Sequence, residues 1–187
     1  MTPEEKMQLL QNANRQIKLE YEGSVVNTYS EHFHLKNGET WVYDKIKHKG
    51  ACVMIPVDSD ETIIFVRQYR PAVGKILIEL PAGKLDNNEK LLVCAQRELR
   101  EEIKMKANRL KHIKSTYPAP GYSDEILHFF MATDLTSDPL PHEEKEAIEI
   151  IKYPLHIVIE KILNGEIEDD KTITGVFLYE KLCKKNY

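Results

Sequence analysis

Residues 83–105 read GKLDNNEKLLVCAQRELREEIKM, and the fold and the chemistry both turn on this stretch. From Glu89 to about Ile103 the apolar residues recur at helical spacing, with Leu92, Ala95, Leu99 and Ile103 on one stripe. At about 100° per residue, Glu98, Glu101 and Glu102 fall within an arc of roughly 100° on one flank of that stripe. Helix physics does not favour the placement. Like charges at these spacings repel by about 0.2–0.5 kcal/mol per pair. Carboxylates in a last turn also face the negative end of the helix dipole. A divalent cation between them removes the repulsion, and clustered carboxylate oxygens suit hard ions such as Mg²⁺ or Mn²⁺. The bland alternative is a solvated Glu/Arg face with the carboxylates paired to neighbouring arginines.

The surroundings favour the metal. Gly83 follows the apolar run Ile76–Leu80, Glu89 comes after five intervening residues, and Arg97-Glu98-Leu99 after seven more. A glycine there lets backbone groups approach a metal–phosphate cluster without a Cβ in the way.

The spacing resembles the signature of the Nudix hydrolases, matched at Gly83, Glu89, Arg97, Glu98, Leu99, Glu101, Glu102 and Met105. It departs at Lys104, where the family has glycine, a residue suited to the left-handed turn that ends many helices. Lysine in that conformation costs on the order of 1 kcal/mol.

Further segments resemble the ADP-ribose pyrophosphatase branch. They are Val66-Arg67-Gln68-Tyr69-Arg70-Pro71, Ile78-Glu79-Leu80-Pro81-Ala82-Gly83-Lys84, Pro120-Gly121-Tyr122-Ser123-Asp124-Glu125, and the tail from Asn164 to Thr172. The resemblance implies an α/β (α+β) fold, an α/β/α sandwich around a mixed sheet. An N-terminal antiparallel hairpin module at residues 1–49 precedes the hydrolase domain at 50–187.

It also implies roles. Glu98, Glu101 and Glu102, with the carbonyl of Ala82, would bind two or three Mg²⁺ ions (Mn²⁺ is the alternative) across a diphosphate. Glu89 would support that cluster, and Arg97 would orient the helix glutamates. Arg70 would meet a phosphate or the terminal ribose, and the loop with Gly121 and Glu125 would contact substrate. Glu79 reads as a network residue beside them. Trp41, the single tryptophan, would stack on adenine, although a core or dimer-contact aromatic would look the same. The general base would be Glu144 or Glu146, on an acidic loop that a solvated surface would equally produce.

The implied reaction is hydrolysis of a nucleoside diphosphate sugar, ADP-ribose first, to AMP and ribose 5-phosphate. A GDP- or UDP-linked sugar is the near alternative, and a ligand-sensing module of the same fold the distant one. The implied assembly is a homodimer with exchanged N-terminal modules.

The composition is that of a globular protein. The chain has 187 residues, 42% apolar and 30% charged, with a net charge of −4. That balance argues against non-specific nucleic-acid binding, which needs surplus Lys and Arg. The apolar runs, such as Ile63–Val66, are far shorter than the roughly 20 residues that span a bilayer. Cys52, Cys94 and Cys183 form no Cys-x-x-Cys pair, which suggests free thiols in the cytoplasm.

Local patterning gives the remaining elements. We expect an N-terminal helix over 3–15, strands over Ser24–Lys36 and Glu39–His48 around an Asn37-Gly38 turn, and strands at Ala51–Val57, Thr62–Arg67, His112–Tyr117, Ile126–Ala132 and Ala147–Lys152. Helices at Pro154–Asn164 and Thr172–Lys184 close the chain. His32 and His34 share a strand face, but no third ligand is spaced to complete a zinc site.

Overall fold

The computed structural model describes residues 1–23, 26–140 and 147–183, with the backbone alone at Cys183. The chain divides into two compact units, Met1–His48 with Ala119–Glu125, and Lys49–Pro118 with Ile126–Tyr187.

In the first unit, helix α1 (Pro3–Gln11) opens on a capping box, with Thr2 Oγ1 accepting from Glu5 N–H and the Glu5 carboxylate accepting from Thr2 N–H. It stops at Gln11, short of the expected residue 15. Strand β1 (Asn14–Glu22) then begins, pairing with β2 (Asn27–His34), which pairs with β3 (Thr40–Lys47), all antiparallel. The module is therefore a three-stranded sheet, where a hairpin was expected. The signal for β1 was the alternation of Ile17, Leu19 and Tyr21 with Lys18 and Glu20. The β2–β3 turn closes with Leu35 N–H donating to the Glu39 carbonyl, around Gly38 at φ 87°.

The Ala119–Glu125 loop adds to the β3 side of this sheet. Ile46 N–H donates to the Tyr122 carbonyl at 2.7 Å, and His48 N–H to Asp124 Oδ1 at 2.8 Å. Lys45 Nζ lies 3.3 Å from the Asp124 carboxylate and 3.6 Å from buried Glu31.

The second unit holds two sheets. One is antiparallel, in the order β10-β5-β6, from β10 (Ile148–Pro154), β5 (Thr62–Arg70) and β6 (Lys75–Glu79). The other is mixed, in the order β7-β4-β9-β8, from β7 (Ala82–Lys84), β4 (Ala51–Pro56), β9 (Leu127–Ser137) and β8 (Met105–Thr116). Within it β4 and β9 run parallel, and the other pairs are antiparallel.

Every residue of β4 is buried, so its two faces serve two cores. Ala51, Val53 and Ile55 pack with Phe65, Leu80 and Phe129 against α3 (Leu155–Leu163) and α4 (Asp170–Cys183), through Val158 and Val176. Cys52 and Met54 pack with Ile64 and Phe130 against α2 (Leu91–Glu102), through Cys94, Ala95 and Leu99. Helices thus cover both faces, which is the sandwich expected.

The chain crosses between the sheets at Leu80-Pro81. The Pro81 carbonyl accepts from Met54 N–H at 2.9 Å, and the next three residues form β7. The glycine segment is thus a short strand, with Gly83 opposite Cys52. This register brings its backbone beneath α2.

Candidate active site

Three of the four residues expected on the apolar stripe of α2, Ala95, Leu99 and Ile103, are buried. The helix itself buries Cys94, Ala95, Glu98, Leu99 and Glu102, whereas Leu92 is 55% exposed. Two of the three carboxylates therefore lie on the packed face itself, rather than on its flank. The space beneath them comes from Gly83, where an added Cβ would overlap the Glu98 carboxylate.

Arg97 organises the cluster. Its Nε and Nη2 donate to the two Glu89 oxygens at 3.0 Å each. Its Nη1 donates to Glu98 Oε1 at 2.6 Å and Glu101 Oε2 at 3.0 Å, and Nη2 reaches the Lys84 carbonyl at 3.1 Å. One guanidinium, a rigid fork of five donors, thus serves three carboxylates and the strand opposite.

Glu102 lies outside that grip. Its Oε2 accepts from Ala82 N–H at 3.0 Å. Burial and then the Glu98 charge push its carboxyl up to about 8, against the opposing pull of the Ala82 hydrogen bond. Burial also raises Glu98, and Arg97 opposes that shift.

Two buried carboxyls side by side, incompletely neutralised, beside a backbone with no Cβ, suit a hard divalent cation. As the side chains stand, no three His, Cys, Asp or Glu groups among the described residues converge on a cage. Arg97 holds Glu98 and Glu101.

A second hub adjoins β6. Glu79 is 1% exposed and receives Arg70 Nε and Nη2 at 2.7 Å each, and Lys171 Nζ at 2.5 Å. Burial works to raise its carboxyl, but the Arg70 hydrogen bonds and the Lys171 charge hold it below the usual range. The same Lys171 donates to Asp169 Oδ1 at 2.9 Å. Asp169 Oδ2 caps α4 by accepting from Thr172 N–H at 3.0 Å and from its hydroxyl at 2.6 Å. The Thr172 hydroxyl in turn accepts from Leu80 N–H at 2.8 Å. Sequence reasoning missed Asp169 and Lys171. Their only signal was an acidic cap and a lysine at the start of a helix.

Ala82, Glu98, Glu101, Glu102, Arg97, Glu89, Arg70 and Glu79 all belong to the second unit. Trp41, Gly121 and Glu125 belong to the first. Trp41 is half-buried, with its Nε1 donating to Glu39 Oε2 at 3.2 Å. Glu125 Oε1 lies 3.3 Å from His48 Nδ1. Glu144 and Glu146 lie outside the described residues. Cys94 is buried, with its thiol directed at the Gly83 and Lys84 carbonyls, and it packs as a hydrophobe.

Residues 47–174 match the NUDIX domain. The ADP-ribose pyrophosphatase of Bacillus subtilis (strain 168) is 33% identical over 158 residues, covering 83% of this chain and 85% of its own. The GDP-mannose pyrophosphatase of Salmonella typhimurium is 33% identical over 141 residues, covering 71% of this chain and 72% of its own. A crystal structure of an ADP compounds hydrolase superposes with a TM-score of 0.83 at 22% identity, covering 95% of this chain and 97% of that one.

Proposed function

This chain belongs to the NUDIX family and is a pyrophosphohydrolase, and we propose that it cleaves the diphosphate of a nucleoside diphosphate sugar, ADP-ribose first. The observation that supports this reading most is the buried Glu98/Glu102 pair on the strand-facing side of α2, over a glycine that leaves it room. Relatives named for ADP-ribose and for GDP-mannose support the substrate class, and GDP- or UDP-linked sugars follow as alternatives.

Hydrolases of this family use divalent metal ions, and we take the ion here as Mg²⁺, with Mn²⁺ able to replace it. When bound, the ion supplies charge neutralisation of the diphosphate and a more acidic water. Glu98, Glu101 and Glu102, with the Ala82 carbonyl, would hold it. Arg97 keeps the helix carboxylates oriented and fixes them to the Lys84 backbone. Arg70, already steadied by Glu79, would use its remaining donors on a phosphate or the terminal ribose. Trp41 would stack on the base, with the Gly121–Glu125 segment contacting substrate. Glu144 or Glu146 would take the proton from water, and the products would be AMP and ribose 5-phosphate. The enzyme would act in the cytoplasm as a homodimer with exchanged N-terminal modules.

A panel of ADP-ribose, GDP-mannose and UDP-glucose with Mg²⁺, read by phosphate release after phosphatase coupling, tests the assignment. Turnover of ADP-ribose above the others is expected. Release from none of them would overturn it.

A further inference from the structure

Lys104 stands where the resembling signature has glycine, and it adopts the conformation a glycine would, at φ 63°. The last turn of a helix leaves carbonyls without intrahelical partners. Glycine at this place would supply the left-handed turn and nothing more. Lysine adds a donor. Its Nζ donates to the Glu101 carbonyl at 2.7 Å and to the Leu140 carbonyl at 3.2 Å.

The two carbonyls belong to segments far apart in sequence. Glu101 is in the last turn of α2, between Glu98 and Glu102. Leu140 follows the end of β9. Backbone bonds lace the same two segments, with Asp138 N–H donating to the Lys104 carbonyl and Leu140 N–H to the Arg100 carbonyl, both at 3.1 Å. Arg100 adds donors to the Asp138 carbonyl at 3.2 Å and to its Oδ1 at 3.3 Å. All of these residues lie in the second unit.

We propose that Lys104 is a positioning residue: its ammonium ties the Glu101 carbonyl to the Leu140 carbonyl, fixing the carboxylate-bearing end of α2 against the chain leaving β9. The role rests on the hydrolase reading above for its effect on turnover, though not for its effect on the helix end. A cation here also opposes the negative end of the helix dipole at the turn that carries Glu101 and Glu102. Replacing glycine by lysine thus exchanges backbone ease for a fixed ligand geometry, which metal sites depend on.

Three variants separate the contributions. Lys104→Gly relieves the backbone and removes the donor, Lys104→Met keeps the backbone and removes the donor, and Lys104→Arg keeps a donor. Hydrogen exchange on the metal-free protein reads the clamp through the Asp138 and Leu140 amides. Both should exchange at least about tenfold faster in the Gly and Met variants and near the wild-type rate in Arg. Titration of the free protein with Mn²⁺ should show affinity about tenfold weaker in Gly and Met, with Arg restoring most of it. With ADP-ribose, kcat should fall several-fold in Gly and Met while KM holds.

Wild-type amide exchange in Lys104→Met would overturn the proposal. So would faster exchange with unchanged Mn²⁺ affinity, because the clamp would then serve the fold alone. Failure of the wild-type enzyme to hydrolyse any nucleoside diphosphate sugar would instead sink the functional reading, with the exchange and Mn²⁺ results still deciding the role of Lys104.

Discussion

At Glu102, burial and the neighbouring Glu98 charge act in the same direction and outweigh the Ala82 amide and the Arg70 and Lys171 charges that oppose them. A carboxyl so placed is costly to ionise until a cation arrives. Glu102→Gln keeps an acceptor for Ala82 N–H and removes the charge. It should lower kcat at least about a hundredfold, as expected when a charge-stabilising group is lost. The thermal midpoint of the metal-free protein should hold or rise. An active variant with the wild-type Mg²⁺ dependence would remove Glu102 from the site. Glu144→Gln and Glu146→Gln test the base in the same way. One of them should lose kcat with KM nearly unchanged, and two variants with wild-type turnover would send the search for the base elsewhere.

Among the elements, α4 bears on the site through its first turn rather than its length. Thr172 and Leu80 are both fully buried, so Thr172→Val leaves the Leu80 N–H without its acceptor. The expected loss is about 1–3 kcal/mol in urea unfolding, and an unchanged midpoint would show that Leu80 finds another partner. The Glu79 hub adds a pH dependence. Its folded carboxyl lies below the ordinary 4.5, so it stabilises the native state above that pH. That contribution is lost as pH falls through the lower folded value. Lys171→Met removes one of its two cations, so acid unfolding should begin at higher pH than in the wild type. Followed by circular dichroism, superposed acid limbs would show that Arg70 alone sets the carboxyl.

For the whole molecule, assembly turns on the N-terminal sheet. Strand β1 is exposed along its entire length, with Ile17 and Leu19 on one face at 42% and 46% exposure. A strand edge and face left in water this way invite pairing with another chain. Light scattering should give the mass of a dimer, and Leu19→Glu should shift it toward the monomer. Trp41→Ala should raise KM for ADP-ribose roughly ten- to hundredfold with kcat nearly intact, as loss of one stacking ring predicts. Since Trp41 is the single tryptophan, its fluorescence should respond to AMP. A monomer together with an unaltered KM would confine the N-terminal sheet to its own fold.

The sequence by itself determined what depends on local spacing. Helix α2, its three carboxylates and the glycine opposite them were legible because helical periodicity and motif spacing act over a few turns of chain. The β2–β3 turn was legible from Asn37-Gly38 for the same reason. Strand β1 was written in an alternation that a polar sequence made faint, and the expected helix over 3–15 ran into it. The tertiary structure decided which face of α2 is buried, turning Leu92 outward and Glu98 and Glu102 inward. It also made Ala82–Lys84 a strand and gave Glu79 a cation from Lys171, 92 residues away. Lys104, read from sequence as a misfit for glycine, gained two carbonyl acceptors, one of them 36 residues distant. No local pattern encodes such partners. They exist only once the sheets and helices have packed, because burial then obliges each charge and amide to find whatever group the fold has placed beside it.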